Sequence, residues 1–270
     1  MKKLIYEICK ERDIKITPIG DGYILRLTKG AFVKHIYGAY WDINPAASDK
    51  IACDKHACST ILASEGIPVI PNEIVFNPIR RPGYNDETGM WKKILNYYHT
   101  NNNCIVVKPN QGSQGRDVYL CDTITSLETA VSAVFETHPD AAISPYMDIK
   151  TEYRVFFLYG RAMFVYGKKA VESWKHNLSM GAKAYELKNE KRANEIKMLA
   201  CRAAKCIKMN FATVDIVELK NGKLMIMEIN AGVQSKLLLE QLPHLKPILK
   251  SIYTEAILST LRIEHKRPSS

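Results

Sequence analysis

Between Phe211 and Asn230 the chain reads FATVDIVELKNGKLMIMEIN, and no other stretch restricts the fold as tightly. Two β-prone apolar runs, residues 211–219 and 223–229, flank Asn221-Gly222. Both turn residues tolerate positive φ, so the pair predicts an antiparallel hairpin. Side chains alternate along a strand, which puts Glu228 and Asn230 on one face. Asp215, on the first strand, can then face them across the ladder. Three oxygen ligands on a rigid hairpin, among apolar neighbours, suit Mg²⁺ shared between protein and a substrate phosphate. An ordinary hairpin with a solvated polar face also carries such residues, so the remainder of the chain has to decide.

At 270 residues the chain can bury a large core, as one domain of several lobes or two small domains. Its formal net charge of +10 favours anionic partners. The basic residues are scattered and form no arm, which favours a phosphate-handling enzyme over a nucleic-acid binder. Seven cysteines form no C-x-x-C pair and no metal-ligand spacing, as expected of reduced thiols in a cytosol. Met1-Lys2-Lys3 begins like a signal peptide, but Glu7, Lys10, Glu11 and Arg12 interrupt any apolar segment. No stretch is long and apolar enough to span a bilayer. The expectation is a cytoplasmic protein with neither a membrane nor a nucleic-acid partner; a homo-oligomer stays open.

Taken in order, residues 1–50 read as a small N-terminal lobe, with a helix over 4–10 and strands over 23–27 and 32–37. Residues 49–66 show helical spacing that Gly66 ends. The polar stretch 77–90 reads as a long loop, followed by a helix over 91–99 and a strand over 104–107. That strand ends in KPNQGSQGRDVYLC. Lys108 closes it, and a loop loosened by Gly112 and Gly115 can fold over phosphates with its backbone N–H groups. The G-K-[ST] ending and following helix of a Walker loop are missing. A helix over 125–137, a strand over 141–144 and the linker Pro145-Tyr146-Met147 come next. A hairpin turns about Gly160, Lys168 opens an irregular segment, and helices over 189–209 and 243–262 frame the Asn-Gly hairpin.

Several motifs then fall into one order. D-K-x-x-x-x-x-x-L-x-x-x-G-I-P spans residues 54–68, V-V-K-P spans 106–109, and the Gly loop, the linker and D…E-x-N follow. This order resembles the ATP-grasp carboxylate–amine ligases over about residues 49–242. Within them it looks closest to cyanophycin synthetase, the ligase half of bifunctional glutathione synthetases and the ligases that add glutamate to ribosomal-protein tails. The tract Trp174-Lys175-His176-Asn177 to Gly181 resembles the F-R-x-N-x-x-x-G segment of the last group.

The resemblance implies a small lobe at 1–50, a central lobe with the Gly-rich flap at 51–147 and a metal-bearing lobe at 148–270, two α+β lobes clasping ATP. Lys55 and Lys108 would hold the α- and β-phosphates, and Gly112, Ser113 and Gly115 would close over the triphosphate. Pro145, Tyr146 and Met147 would present backbone groups to adenine, with Glu152 on the ribose hydroxyls. Asp215, Glu228 and Asn230 would hold two Mg²⁺ ions, while Arg154, Lys168 and Asn177 would lie near the γ-phosphate or acyl group. The implied activity joins a carboxylate to the amine of an amino acid or peptide through an acyl phosphate. A small-molecule kinase on the same fold is the alternative, and a nucleotide-binding module without turnover is a third reading. One departure stands out. Ala231-Gly232-Val233-Gln234 replaces the Pro-Gly that often follows the last metal ligand, in a region that usually meets the acceptor.

Overall fold

The computed structural model describes residues 1–84, 89–112, 115–171 and 177–262. The N-terminal segment forms helix α1 (Lys2–Glu11) and a four-stranded antiparallel meander, β1 (Lys15–Ile19), β2 (Ile24–Lys29), β3 (Phe32–Tyr37) and β4 (Tyr40–Trp41). Helices α2 (Ala46–Cys53) and α3 (Lys55–Ser64) follow. Next come β5 (Glu73–Phe76), α4 (Met90–Thr100), β6 (Ile105–Pro109), β7 (Tyr119–Cys121), α5 (Ile124–Thr137) and β8 (Asp140–Pro145). These strands pair antiparallel in the order β5-β8-β6-β7 and share one apolar core with α4 and α5.

The largest sheet uses β9 (Ile149–Leu158), β10 (Arg161–Lys169), β11 (Lys183–Glu186), β12 (Phe211–Leu219) and β13 (Leu224–Asn230), with α6 (Glu190–Cys206) between β11 and β12. Its order is β11-β10-β9-β12-β13, all antiparallel, and α7 (Lys236–Gln241) and α8 (Lys246–Thr260) end the described chain. Helix α6 buries Ala193, Ile196, Ala200, Ala203 and Ala204, spaced for one helical face. Four small residues there let the helix axis approach the sheet closely. The other sheet face packs on α8 and the N-terminal meander in one continuous core. Trp41 stacks on Tyr253 at 5.7 Å between ring centres and meets Phe211 edge-on at 5.2 Å. Asn44 adds a backbone clamp, accepting from the N–H groups of Asn210 and Phe211 at 2.8 Å and donating to the Phe211 carbonyl at 2.8 Å.

Three local expectations change. The helix expected over 49–66 is two helices, because Asp54 is extended (φ −100°, ψ 108°) and its carboxylate caps α3 by accepting from Ala57 N–H at 2.8 Å. Lys55 thereby becomes the first residue of α3. Strand β10 runs on through Lys168 and Lys169, since β11 pairs with both. The closing helix starts at Lys246, after a 3₁₀ turn at Pro243–Leu245. Strands β1 and β11 and helix α7 carry too few residues for a periodic signal. No helix among the described residues is long and apolar enough to cross a membrane.

Trp41 is 2% exposed and joins meander to sheet. Trp41→Ala should cost about 3–5 kcal/mol in urea denaturation, as for other large-to-small core changes. A loss below about 1 kcal/mol would show that the meander contributes little to the shared core.

Candidate active site

Cross-strand register builds the site. Tyr166 on β10 pairs with Arg154 on β9, Arg154 with Asp215 on β12, and Asp215 with Glu228 on β13, so one row of side chains crosses four strands. In the next row Lys168 pairs with Glu152, and Glu152 with Val217. The Arg154 fork holds Asp215 through Nε at 2.7 Å and Nη2 at 2.5 Å. Lys168 Nζ reaches Asp215 Oδ1 at 3.3 Å and ion-pairs with Glu152. Asn230 Nδ2 donates to Asp215 Oδ2 at 3.2 Å and to Glu228 Oε1 at 3.0 Å. Burial alone would raise the Asp215 carboxyl, but the cations of Arg154 and Lys168 outweigh it and hold it well below the usual carboxylate range. Burial pushes the Glu152 carboxyl up, and Lys168 opposes that rise.

The second half of the site comes from α3 and the Gly loop. Lys55 Nζ donates to the carbonyls of Asn110 at 3.3 Å and Gly112 at 3.1 Å, while His56 N–H donates to Asn110 Oδ1 at 3.0 Å. The loop's first residues are therefore tied to an N-terminal helix turn, a place that attracts anions. Burial, with Lys55 nearby, depresses Lys108 to about 8. Burial likewise lowers Lys55, opposed by the Glu228 carboxylate. At the far end of the loop Gly115 has φ +70°, and a Cβ there would lie 2.8 Å from Asn177 Oδ1. Only glycine lets Asn177 close on the loop at that distance.

One cleft joins the two halves. Lys55, Lys108, Gly112, Gly115, Pro145, Tyr146, Met147, Glu152, Asn177 and Glu228 all line it. Ile70, Val106, Ile149 and Met227 give it apolar walls beside the linker. Arg154, Lys168 and Asn230 open instead into an adjoining cleft that also includes Asn177 and Glu228. Ser113 and the Trp174-Lys175-His176 tract lie outside the described residues.

Among the described residues no three His, Cys, Asp or Glu side chains converge. The hairpin instead carries two carboxylates and an amide, hard oxygens of the kind Mg²⁺ takes, with Glu228 and Asn230 lining the clefts and Asp215 buried against the Arg154 fork. Glu152 is 2% exposed and engages Lys168, a partner that local spacing does not reveal. Sequence reasoning also missed Met227. The ladder shifts register between Asp215 and Ile216, so Met227 is the extra residue of a bulge and turns into the cleft beside Glu228. Strand alternation without a bulge would have aimed it away.

This arrangement has relatives. Residues 52–242 match the family described as RimK-like ATP-grasp domain. The chain belongs to that family. A protein of Pseudomonas savastanoi pv. phaseolicola named "Probable alpha-L-glutamate ligase" is 30% identical over 140 residues, covering 47% of this chain and 42% of that protein. The match thus spans less than half of that relative's length. Among solved structures, D-alanine–D-alanine ligase from Bacillus anthracis in complex with ATP is similar with a TM-score of 0.62 and 18% identity, over 81% of this chain and 69% of that one. The ATP-grasp ligase PsnB with its minimal precursor is similar at 0.56 and 13% identity, over 80% and 63%. The ATP-grasp fold expected from the motif order is the fold of this chain.

Lys108 generates a pH prediction. A lysine depressed to about 8 is charged below that pH and neutral above it. Affinity for ATP, measured by equilibrium titration, should be full below pH 8 and fall by up to about tenfold per pH unit above it. Lys108→Arg, which stays charged, should flatten the profile. A wild-type profile that is flat from pH 7 to 9 would remove Lys108 from phosphate binding.

Proposed function

We propose that this chain is an ATP-dependent ligase joining a carboxylate to an amine through an acyl phosphate. The observation that carries the reading is the single row Arg154–Asp215–Glu228, with Lys168 beside it, in which Glu228 lines both the cleft that holds Lys55 and Lys108 and the adjoining cleft that holds Arg154 and Lys168. Cations fixed on carboxylates beside an apolar-walled cleft suit phosphoryl transfer, since positioning and charge stabilisation supply most of its rate. In this reading Lys55 and Lys108 bind the α- and β-phosphates, the linker faces adenine, and Asp215, Glu228 and Asn230 hold Mg²⁺. When bound, Mg²⁺ offsets charge on the transferring phosphoryl group.

The residues then account for two steps. A carboxylate oxygen of the acid substrate attacks the γ-phosphorus, a new O–P bond forms, and the bond to the β–γ bridging oxygen breaks to release ADP. Arg154 and Lys168 stabilise the charge that develops, and Asp215 fixes where both sit. The amine nitrogen next attacks the acyl carbon. The C–N bond forms, the nitrogen loses a proton, and phosphate leaves with the electron pair of the C–O bond. Gly115 against Asn177 narrows the mouth of the cleft, which keeps water from the acyl phosphate.

A screen of amino acids and short peptides, read by ADP and phosphate release, tests this. ATP consumption should need an acid and rise with an amine, and hydroxylamine should replace the amine to give a hydroxamate. A stable phosphorylated product without hydroxamate would establish a kinase instead. Glu228→Gln keeps the shape and removes one charge, so turnover should fall by about 10² or more. Near-normal turnover in folded Glu228→Gln would sink the metal-ligand assignment.

A further inference from the structure

A second, larger cleft of about 770 Å³ lies on the other side of Glu228 and Asn230, within the usual size range of ligand pockets. Its outer wall comes from the N-terminal meander, which lies before the family match that starts at residue 52. Tyr23, Tyr37 and Tyr40 line it, all more than 40% exposed, with Tyr23 and Tyr37 edge-to-face at 4.7 Å. Rings so exposed in a concave wall are costly unless something covers them. Asp49 on α2 lines the same cleft, and its Oδ1 is buried with no hydrogen-bond partner. A buried carboxylate oxygen without a donor is a standing cost that an incoming cation would relieve.

The turn between β3 and β4 docks on the segment just past Asn230. Val233 N–H donates to the Ala39 carbonyl at 3.1 Å. A Cβ at Gly232 would lie 3.5 Å from Ala39 Cβ and 3.6 Å from the Tyr40 ring. The departure from Pro-Gly at residues 231–234 and the unusual N-terminal lobe are thus two halves of one wall. The cleft across Glu228 and Asn230 is more basic, with Arg154, Lys168 and Lys236 against Glu228 in its lining, whereas the tyrosine-walled cleft balances Lys50 and Lys55 with Asp49 and Glu228. A basic and a charge-balanced cleft therefore meet at the proposed reacting centre, which favours the anionic substrate on the Arg154 side and leaves the tyrosine-walled side to the other.

We infer that the tyrosine-walled cleft binds the amine substrate, a primary ammonium on an apolar or aromatic body, with Asp49 accepting from the ammonium and Tyr23, Tyr37 and Tyr40 packing against the rest. This assignment rests on the ligase reading for its role in turnover. Tyrosine faces attract a cation as well as apolar surface, so one wall serves both ends of such a molecule. The acid substrate then enters from the Arg154 side.

Equilibrium binding tests the site without turnover, so its outcome is separate from the hydroxamate assay that tests the ligase reading. L-Phenylalaninamide, N-acetyl-L-phenylalaninamide and 3-phenylpropionate are titrated calorimetrically into the full chain with a non-hydrolysable ATP analogue. The first should bind saturably, and the uncharged and anionic probes should bind at least about tenfold more weakly, as for loss of a charged hydrogen bond. Asp49→Asn, nearly isosteric, and Tyr37→Ala, at a half-exposed position, should each weaken L-phenylalaninamide by a similar factor while melting like wild type. Equal affinity in wild type and both variants, absence of binding in wild type, or tighter binding of 3-phenylpropionate would each overturn the inference.

Discussion

Charge neutralised inside a sheet is the constraint on which the rest depends. Arg154, Lys168, Glu152 and Asp215 sit on three adjacent strands, and Asp215, Glu152 and Lys168 are almost wholly buried. Moving such groups out of water costs several kcal/mol each, and only close, hydrogen-bonded partners offset it. Removing one member would strand the others, so the network resists change. Its contribution to net stability is small compared with its effect on position. The sheet fixes the register, the register fixes the pairs, and the pairs hold Arg154 and Lys168 in the lining of one cleft. A flexible surface lysine would have to be ordered anew in each turnover.

The N-terminal meander adds a different kind of constraint. Trp41, Phe211 and Tyr253 make it part of the large sheet's own core, and Asn44 pins it to the start of β12. The wall it contributes is consequently rigid where it meets Gly232 and Val233. A lobe attached only by a linker would leave that cleft more open to water. Packing in the core and enclosure at the site are served by the same elements.

Much of the site was legible because its signals are local. Asn221-Gly222 fixed the hairpin, and alternation put Glu228 and Asn230 on one face; Asp215 does face them, but through the bulge at Met227 and not through unbroken alternation. Lys108 at a strand end before Gly112 needed only short-range reasoning, and motif order supplied the fold. What escaped depends on pairing between distant segments. The hairpin about Gly160 was legible, but Lys168 reads as the start of an irregular segment, whereas β11 holds it in β10 opposite Glu152. The place of Met227 in the cleft depends on the bulge, which alternation does not reveal. The break at Asp54 was hidden because apolar spacing continues across it, and only the cap reveals a second helix start. The meander's docking was out of reach, since no spacing within residues 1–50 indicates that Ala39 meets Val233.

The central claim is that the carboxylate is activated by phosphorylation before the amine arrives. Isotope transfer tests it most directly. An acid substrate labelled with ¹⁸O in its carboxylate is turned over with ATP and amine, and the released phosphate is analysed by mass spectrometry. One labelled oxygen per turnover should appear in phosphate, because the acyl C–O bond is the bond that breaks. Unlabelled phosphate alongside amide product would contradict the account.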